Sequence, residues 1–496
     1  MGELFNGFLA VFTLSNLGAI FLGIAIGIIL GAIPGIGASA ALAIFLPLTL
    51  SMPVESAILF LIAIYAAAEY GGSISAIIIN APGTGAAAAT ILDGYPMAQK
   101  GQPGKALGTS LVSSVSGGTI SAIILATLAP PLALFGLKFG PSEMFALALC
   151  GIAIIASLTS DNVIKGWISA MLGLLLATVG IDPFVGFGRY TFDMPSLMSG
   201  ISEIPVMIGL FALAEGFRML ENIKTNGDEA GFKGIEPGEG ITFKEFLQLK
   251  FTILRSGIIG SIIGAVPGVG ASVASFIAYD VAKRSSKTPG EFGKGHIEGV
   301  SAPEAANNAL VGGALVPALS LGIPGSASVA ILMGALIMHG LTPGPFLLRD
   351  SPNLVYLIFG GYFVGNFVLL LLGLLGIKAV LQFLKIPVNI LAPLIIAVTF
   401  LGAYLYGNSY SDMVVMFIFG VVGWIFKKVN IPVVPLVIAL ILGDMVERNL
   451  LSALLISNGD PLVFVTRPIS AILLIAAVLT FVLSMKKKQG KTLKNA

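Results

Sequence analysis

Apolar residues run through this chain in blocks of helix-spanning length, separated by short polar turns and, between residues 218 and 255, by a long polar stretch. About 20 residues cross a hydrocarbon core of about 30 Å, and counting blocks of that order predicts an all-α polytopic membrane protein with about 12 transmembrane helices. Four blocks carry helix-breaking residues in their interior. Two of these are nearly the same, Gly31-Ala-Ile-Pro-Gly-Ile-Gly-Ala-Ser39 and Gly264-Ala-Val-Pro-Gly-Val-Gly-Ala-Ser272; the others are Ala81-Pro-Gly-Thr-Gly85 and Pro324-Gly-Ser326. Backbone groups freed by Pro and Gly find no water in a bilayer, so such breaks persist only where protein or a wet cavity satisfies them. Paired breaks in two halves of a chain mark the substrate and ion sites of secondary transporters.

The blocks before and after the polar stretch follow the same order. Pro34 corresponds to Pro267, Pro82-Gly83-Thr84 to Pro324-Gly325-Ser326, and Ser160-Asp161-Asn-Val163 to Ser411-Asp412-Met-Val414, at offsets of 233, 242 and 251. That steady drift is what small insertions produce after a duplication. The pattern predicts a first membrane repeat over residues 1–217, a cytoplasmic linker over 218–255, a second membrane repeat over 256–485 and a basic cytoplasmic tail over 486–496.

Lys and Arg favour the cytoplasmic side. Residues 1–99 contain neither, whereas Arg255, Lys283, Arg284, Lys287 and Lys294 flank the second break. Equivalent faces therefore point opposite ways, which predicts an inverted repeat with the N-terminus outside the cytoplasm. Around Pro267, arms of about 11 and 15 residues, or roughly 16 and 22 Å, reach mid-bilayer and return, so this break reads as a re-entrant hairpin. The break at Pro324 reads as an unwound point in a spanning helix. Asp93 to Lys105 reads as a polar exit loop, and Thr242 to Leu249 as a short surface helix.

Composition agrees with the pattern. With 56% hydrophobic and 10% charged residues and a mean hydropathy of +0.98, the chain lies far from the soluble class, which carries about 25% charge. A net charge of +2 with no basic aromatic patch gives no reason to expect nucleic acid. The single Cys150 excludes an internal disulfide and a cysteine metal cluster. Gly490-Lys-Thr492 has Met485 where a P-loop needs its first Gly, so ion-gradient coupling or a separate ATPase subunit remains. The string Gly35-x-Gly37-x-x-Ala40 imitates a dinucleotide fingerprint but lacks the strand-turn-helix context. Met1-Gly-Glu-Leu-Phe lacks a basic n-region, so the first apolar run is expected to be retained.

The breaks supply two kinds of ligand. Half-helix N-termini offer free N–H groups and partial positive charge to a carboxylate, while unwound carbonyls and hydroxyls suit Na+. The candidate substrate- and ion-binding residues are Pro34, Gly35, Gly37, Ser39, Asn80, Pro82, Gly83 and Thr84 in the first half. In the second they are Pro267, Gly268, Gly270, Ser272, Asn307, Asn308, Pro324, Gly325, Ser326 and Ser328, with Na+ expected at the same breaks. No Lys or Arg lies at any break, so an anion there needs helix dipoles, N–H groups and neighbouring cations. The plainer reading of Gly31-xxx-Gly35 and Gly260-xxx-Gly264-xxx-Gly268 is close helix packing. Glu69 and Glu304 are candidates for a cation or a proton, against interfacial placement. Asp161 and Asp412 read as caps in short loops, His296 as solvated, and His339 as a helix C-terminal cap.

The run from Tyr70 through Asn80-Ala-Pro-Gly-Thr-Gly85 to Met97 closely resembles the signature of the large membrane subunit of the tripartite tricarboxylate transporters. So do Pro267-Gly-Val-Gly-Ala271, Glu298 to Asn308, and Leu321-Gly-Ile-Pro-Gly-Ser326. The resemblance implies uptake of a citrate-like di- or tricarboxylate across the bacterial inner membrane, driven by Na+ or H+ and without a bound cofactor. It also implies two partners, a small membrane subunit and a periplasmic solute-binding protein. The order of hairpins and broken helices is similar to the ion transporter superfamily, whose members use an elevator motion. An uncoupled, channel-like permease subunit is the alternative, and no catalytic cluster supports an enzyme.

Overall fold

The computed structural model describes residues 2–159, 162–226, 239–383 and 386–492. Ser160 and Asp161, the linker between Asn226 and Glu239 and the end of the basic tail lie outside them. The helices of nine residues or more are α1 (Gly2–Ala10), α2 (Leu14–Ala32), α3 (Gly37–Phe45), α4 (Val54–Ile79), α5 (Ala87–Gln99), α6 (Pro103–Gly136), α7 (Pro141–Leu158), α8 (Val163–Ala177) and α9 (Ala214–Asn226). The second half contains α10 (Lys250–Gly264), α11 (Gly270–Ser285), α12 (Ile297–Leu321), α13 (Ala327–Met338), α14 (Pro352–Phe383), α15 (Val388–Gly407), α16 (Tyr410–Lys428), α17 (Val434–Ile456) and α18 (Pro468–Thr492). α9 continues directly from a short helix at Glu203–Met207 and a π turn at Ile208–Leu213.

Eight of the described helices are long and apolar enough to cross a membrane: α2, α4, α6, α7, α14, α15, α16 and α18. The dozen spans expected from the apolar blocks divide into these eight long helices and shorter pieces. The breaks cut helices, while α12 and α17 dilute their apolar length with Glu304, Asn307 and Asn308 and with Asp444, Glu447 and Arg448. Among the described residues the only β-sheet is a small antiparallel hairpin, with Gly180 opposite Arg189 and Ile181 opposite Gly188.

Two hairpins carry the near-identical breaks. α2 and α4 pack parallel, with Gly23, Gly27 and Gly31 set in turn against the backbone of Phe60, Ile64 and Ala68. At their heads, Ser56 Oγ donates to Asn16 Oδ1 at 2.7 Å and meets Ser15 Oγ at 2.8 Å. Because α2 and α4 start side by side, the break, α3 and the turn at Leu46–Ser51 must return to the level from which α2 set out. The second hairpin repeats this design. Gly260 sits on Ala306 and Gly264 on Leu310 of α12, and Arg255 near the start of α10 bonds Ser285 at the end of α11. Its arms of 15 and 16 residues are about 22–24 Å long, too short to cross, and end where they began.

The glycines divide the two readings of the small-residue pattern between them. Gly31, Gly260 and Gly264 are packing positions. Gly35 and Gly268, at φ +97° and +81°, hold backbone conformations in which an L side chain is strained.

The broken units α4–α5 and α12–α13 run antiparallel. Tyr65 meets Ser326 (3.2 Å), Asn307 Nδ2 donates to the Glu69 carbonyl (3.1 Å), and Ser73 donates to Glu304 (2.5 Å). At the far end Gly295 N and His296 N each donate to Asp93 at 2.7 Å, so the contacts step up one unit and down the other. Asp93 is fully buried and also accepts from Gly293 N and the Tyr279 hydroxyl, each at 2.9 Å.

The expected exit loop at 93–105 is therefore helical to Gln99, because its polar residues bond the second half. His296, expected to be solvated, is instead built in. Its Nδ1 caps α12 by accepting from Glu298 N, and its ring stacks on Phe292 at 4.6 Å. His339 is the C-cap of α13, as its position suggested. Asp412 lies in the first turn of α16.

The expected surface helix forms over Phe243–Gln248, and Thr242 and Glu245 close a capping box. The Lys105 ammonium, 2.5 Å from Glu245, and then the Thr242 N–H and hydroxyl hold that carboxyl down at about 2. A depressed carboxyl contributes stability above its unfolded pKa, near 4.3, that disappears as pH falls towards about 2. The pair is partly exposed, so Glu245→Gln is expected to cost up to about 1 kcal/mol at neutral pH. Thermal unfolding of both forms should converge across that acid range; a gap that persists at the lowest pH would assign the loss to the cap instead.

Candidate functional site

All four breaks end at the N-terminus of a helix, and the fold turns these ends onto one cavity of about 500 Å³. Its lining includes Gly37, Ala38 and Ser39 at the start of α3, Ala86 before α5, Ala271 and Ser272 at the start of α11, and Ala327 and Ser328 at the start of α13. The first amides of a helix have no intrahelical acceptor, so each end brings orphan N–H donors and partial positive charge. Close approach is secured by glycine. A Cβ on Gly85 would lie 2.7 Å from the Ser272 hydroxyl, and one on Gly83 would strike Gly31 and Gly72. Gly268 N donates to Gly325 O at 3.1 Å, fastening the second hairpin to the broken helix of its own half, whereas Gly83 N donates to Gly72 O at 3.1 Å and folds the first break back onto α4.

Among the residues expected at the site, Gly35, Gly37, Ser39, Pro82, Gly83, Thr84, Ser272 and Ser328 line the cavity. Pro34, Pro267, Gly268, Gly270, Pro324 and Gly325 shape the turns behind it without lining it. Ser326 N-caps α13, accepting from Val329 N at 3.3 Å. Asn80 is the left-handed C-cap of α4 and faces outward. Asn307 and Asn308 are fully buried within α12, behind the cavity wall.

Sequence reasoning missed the charged rim. Glu215, with its side chain 4% exposed, accepts from Lys427 Nζ at 2.6 Å and from Arg218 Nε at 2.9 Å, and both Glu215 and Lys427 line the cavity. A Cβ on Gly35 would strike the Arg218 guanidinium, so the first hairpin tip abuts this trio. One carboxylate between two cations leaves a net positive rim. The available signals were Glu215 interrupting an apolar run and the Lys427-Lys428 pair at the end of α16.

Both membrane acids are buried within the protein. Glu69 lines the cavity and is 7% exposed. Glu304 is completely buried and accepts from three hydroxyls, those of Ser73, Thr90 and Ser110. Among the described residues no cluster of three His, Cys, Asp or Glu could hold a metal ion. A second, larger cavity of about 700 Å³ lies between the β-hairpin, the C-terminal part of α13 and α17. None of the expected site residues lines it.

The family model described as the tripartite tricarboxylate transporter TctA family matches residues 17–438. An uncharacterized 52.8 kDa protein of the TAR-I ttuC' 3' region of Agrobacterium vitis is 37% identical over 479 residues, 97% of this chain and 95% of its own length. An uncharacterized protein of the TAR-II ttuC' 3' region of the same organism is 38% identical over 236 residues, 47% of this chain and 98% of its own length. No solved structure matches the chain.

Proposed function

Because the chain belongs to the tripartite tricarboxylate transporter TctA family, we propose that it is the subunit that carries a citrate-like di- or tricarboxylate across the bacterial inner membrane. On this reading transport is coupled to Na+ or H+, a small membrane subunit completes the membrane assembly, and a periplasmic binding protein delivers the substrate. The observation that carries the proposal is the convergence of four helix N-termini on one cavity. At about half an elementary charge each, the four ends nominally match a dianion. Lys427 and Arg218 add cationic charge at the rim, and a cavity of this size is in the range of small-molecule sites. The hydroxyls of Ser39, Thr84, Ser272 and Ser328 fix orientation and offer oxygen ligands to a cation.

An inverted repeat is supported by the antiparallel course of α4–α5 and α12–α13 and by exchanged packing partners. α2 packs on α14 as α10 does on α6, and α17 packs on α8 as the π turn before α9 does on α16. Such a two-fold relation fits alternating access, in which hairpins and broken helices move as one body against the remaining helices.

The test is uptake of radiolabelled citrate into proteoliposomes holding this subunit, its small partner and the binding protein, with and without an inward Na+ gradient. Accumulation that collapses without the gradient is the expected result. Entry that only equilibrates, whatever the gradient, would replace coupled transport by an uncoupled pore. No uptake under either condition would remove citrate as the substrate.

A further inference from the structure

We infer that Glu69 is a sodium-coordinating carboxylate in the wall of the cavity, and that its occupancy sets the affinity for the anion. The two membrane acids are treated in opposite ways. Glu304 is caged by three hydroxyl donors, whereas Glu69, only 7% exposed and lining the cavity, has a single hydroxyl neighbour, Thr84, and its Oε2 lacks a partner of hydrogen-bond geometry. Among the described residues no Lys, Arg or His pairs with either carboxylate, and the two cations that approach the cavity are both engaged by Glu215. Other oxygens close by are also unsatisfied. Asn307 is anchored through Nδ2 to the Glu69 carbonyl, which leaves its Oδ1 buried without a donor.

A buried carboxylate, a buried amide oxygen and the carbonyls of the unwound stretch after Asn80 form an all-oxygen set. This chemistry suits a small hard monovalent cation, and broken helices use the same groups for Na+. With Glu69 bare, its charge offsets part of the cavity's attraction for an anion; with Na+ in place that offset is cancelled. Linkage then requires that Na+ and the carboxylate raise each other's affinity by the same factor.

The coupling half of this inference rests on the carboxylate reading above, and the cation half does not. The purified subunit in lipid nanodiscs, without any carboxylate, is heated in NaCl, KCl or choline chloride at equal ionic strength. The wild type is expected to show an upward shift in unfolding temperature specific to Na+ and growing with its concentration. Glu69→Gln should show no such shift, and Asn307→Ala should need about tenfold more Na+ for the same shift. If Glu69→Gln does not fold, Glu69→Asp should retain the response at weaker affinity. A wild type indifferent to the identity of the cation overturns the site, as does Glu69→Gln with a full Na+ response. Citrate binding is then followed against Na+: the wild type should require the cation, and Glu69→Gln should bind equally well without it. Citrate that binds neither form, while the Na+ shift persists, would sink the carboxylate reading and leave the cation site standing.

Discussion

Replacing Asp93 by alanine is expected to destabilise the protein by about 3–5 kcal/mol, because several buried donors lose the one acceptor they share. Gly293 N, Gly295 N, His296 N and the Tyr279 hydroxyl all point at this carboxylate, which no water reaches. Alanine leaves four donors unpaired at once, and each unsatisfied buried donor costs about 1–3 kcal/mol before the loop relaxes. Tyr279→Phe removes one donor and should cost about 1–2 kcal/mol. Thermal unfolding in detergent compares the two. An Asp93→Ala protein within about 1 kcal/mol of wild type would mean that the loop finds other acceptors. The consequence extends to the site, because the loop at 293–296 sets the start of α12, the helix that carries Glu304 and Asn307.

Gly31→Val is expected to reduce carboxylate uptake by on the order of 100-fold, since an active geometry tolerates little displacement. A Cβ at this position would be driven into the backbone of Ala68, with the Cα at 2.6 Å and the carbonyl carbon at 2.7 Å. Neither is the end of a flexible side chain that can swing aside, so α2 must part from α4. Overpacking of this kind costs about 1–3 kcal/mol or more. α2 ends at Ala32, immediately before the turn that presents Gly37 and Ser39 to the cavity, so the displacement reaches the site undiminished. Gly18 is the control, because a Cβ there meets nothing within 4 Å, and Gly18→Val should transport normally. Equal uptake by the two variants would show that the contact between α2 and α4 does not position the hairpin tip.

The breaks were legible because Pro and Gly inside apolar blocks contradict their surroundings, and the hairpin at Pro267 because basic residues bracket it at too short a spacing to cross. The short surface helix after Thr242 was legible for the same reason: the signal is local. What the sequence did not disclose depends on helical phase and on distant partners. Ser272 and Asn80 both stand beside a break, yet Ser272 faces the cavity and Asn80 turns outward, because the left-handed cap at Asn80 rotates the chain. Lys427 and Glu215 lie 212 residues apart and meet only when α16 packs on the turn that leads into α9. The polar residues from Asp93 onward look like a loop, because polarity alone does not separate a side chain that faces water from one that faces the other half of the chain.

The interlock at Asp93 also has a meaning in time. Its partners at Gly293 to His296 follow it by 200–203 residues, and Glu304 follows Ser73 by 231. At a synthesis rate of about 5–20 residues per second, the first half waits roughly 10–40 s before either carboxylate cluster can close. During that interval the nascent chain holds hydroxyls and an acid that the second half alone can complete. The two halves of the chain therefore mature together rather than in series, and a ribosome that stalls between them leaves behind an incomplete assembly, not a finished domain.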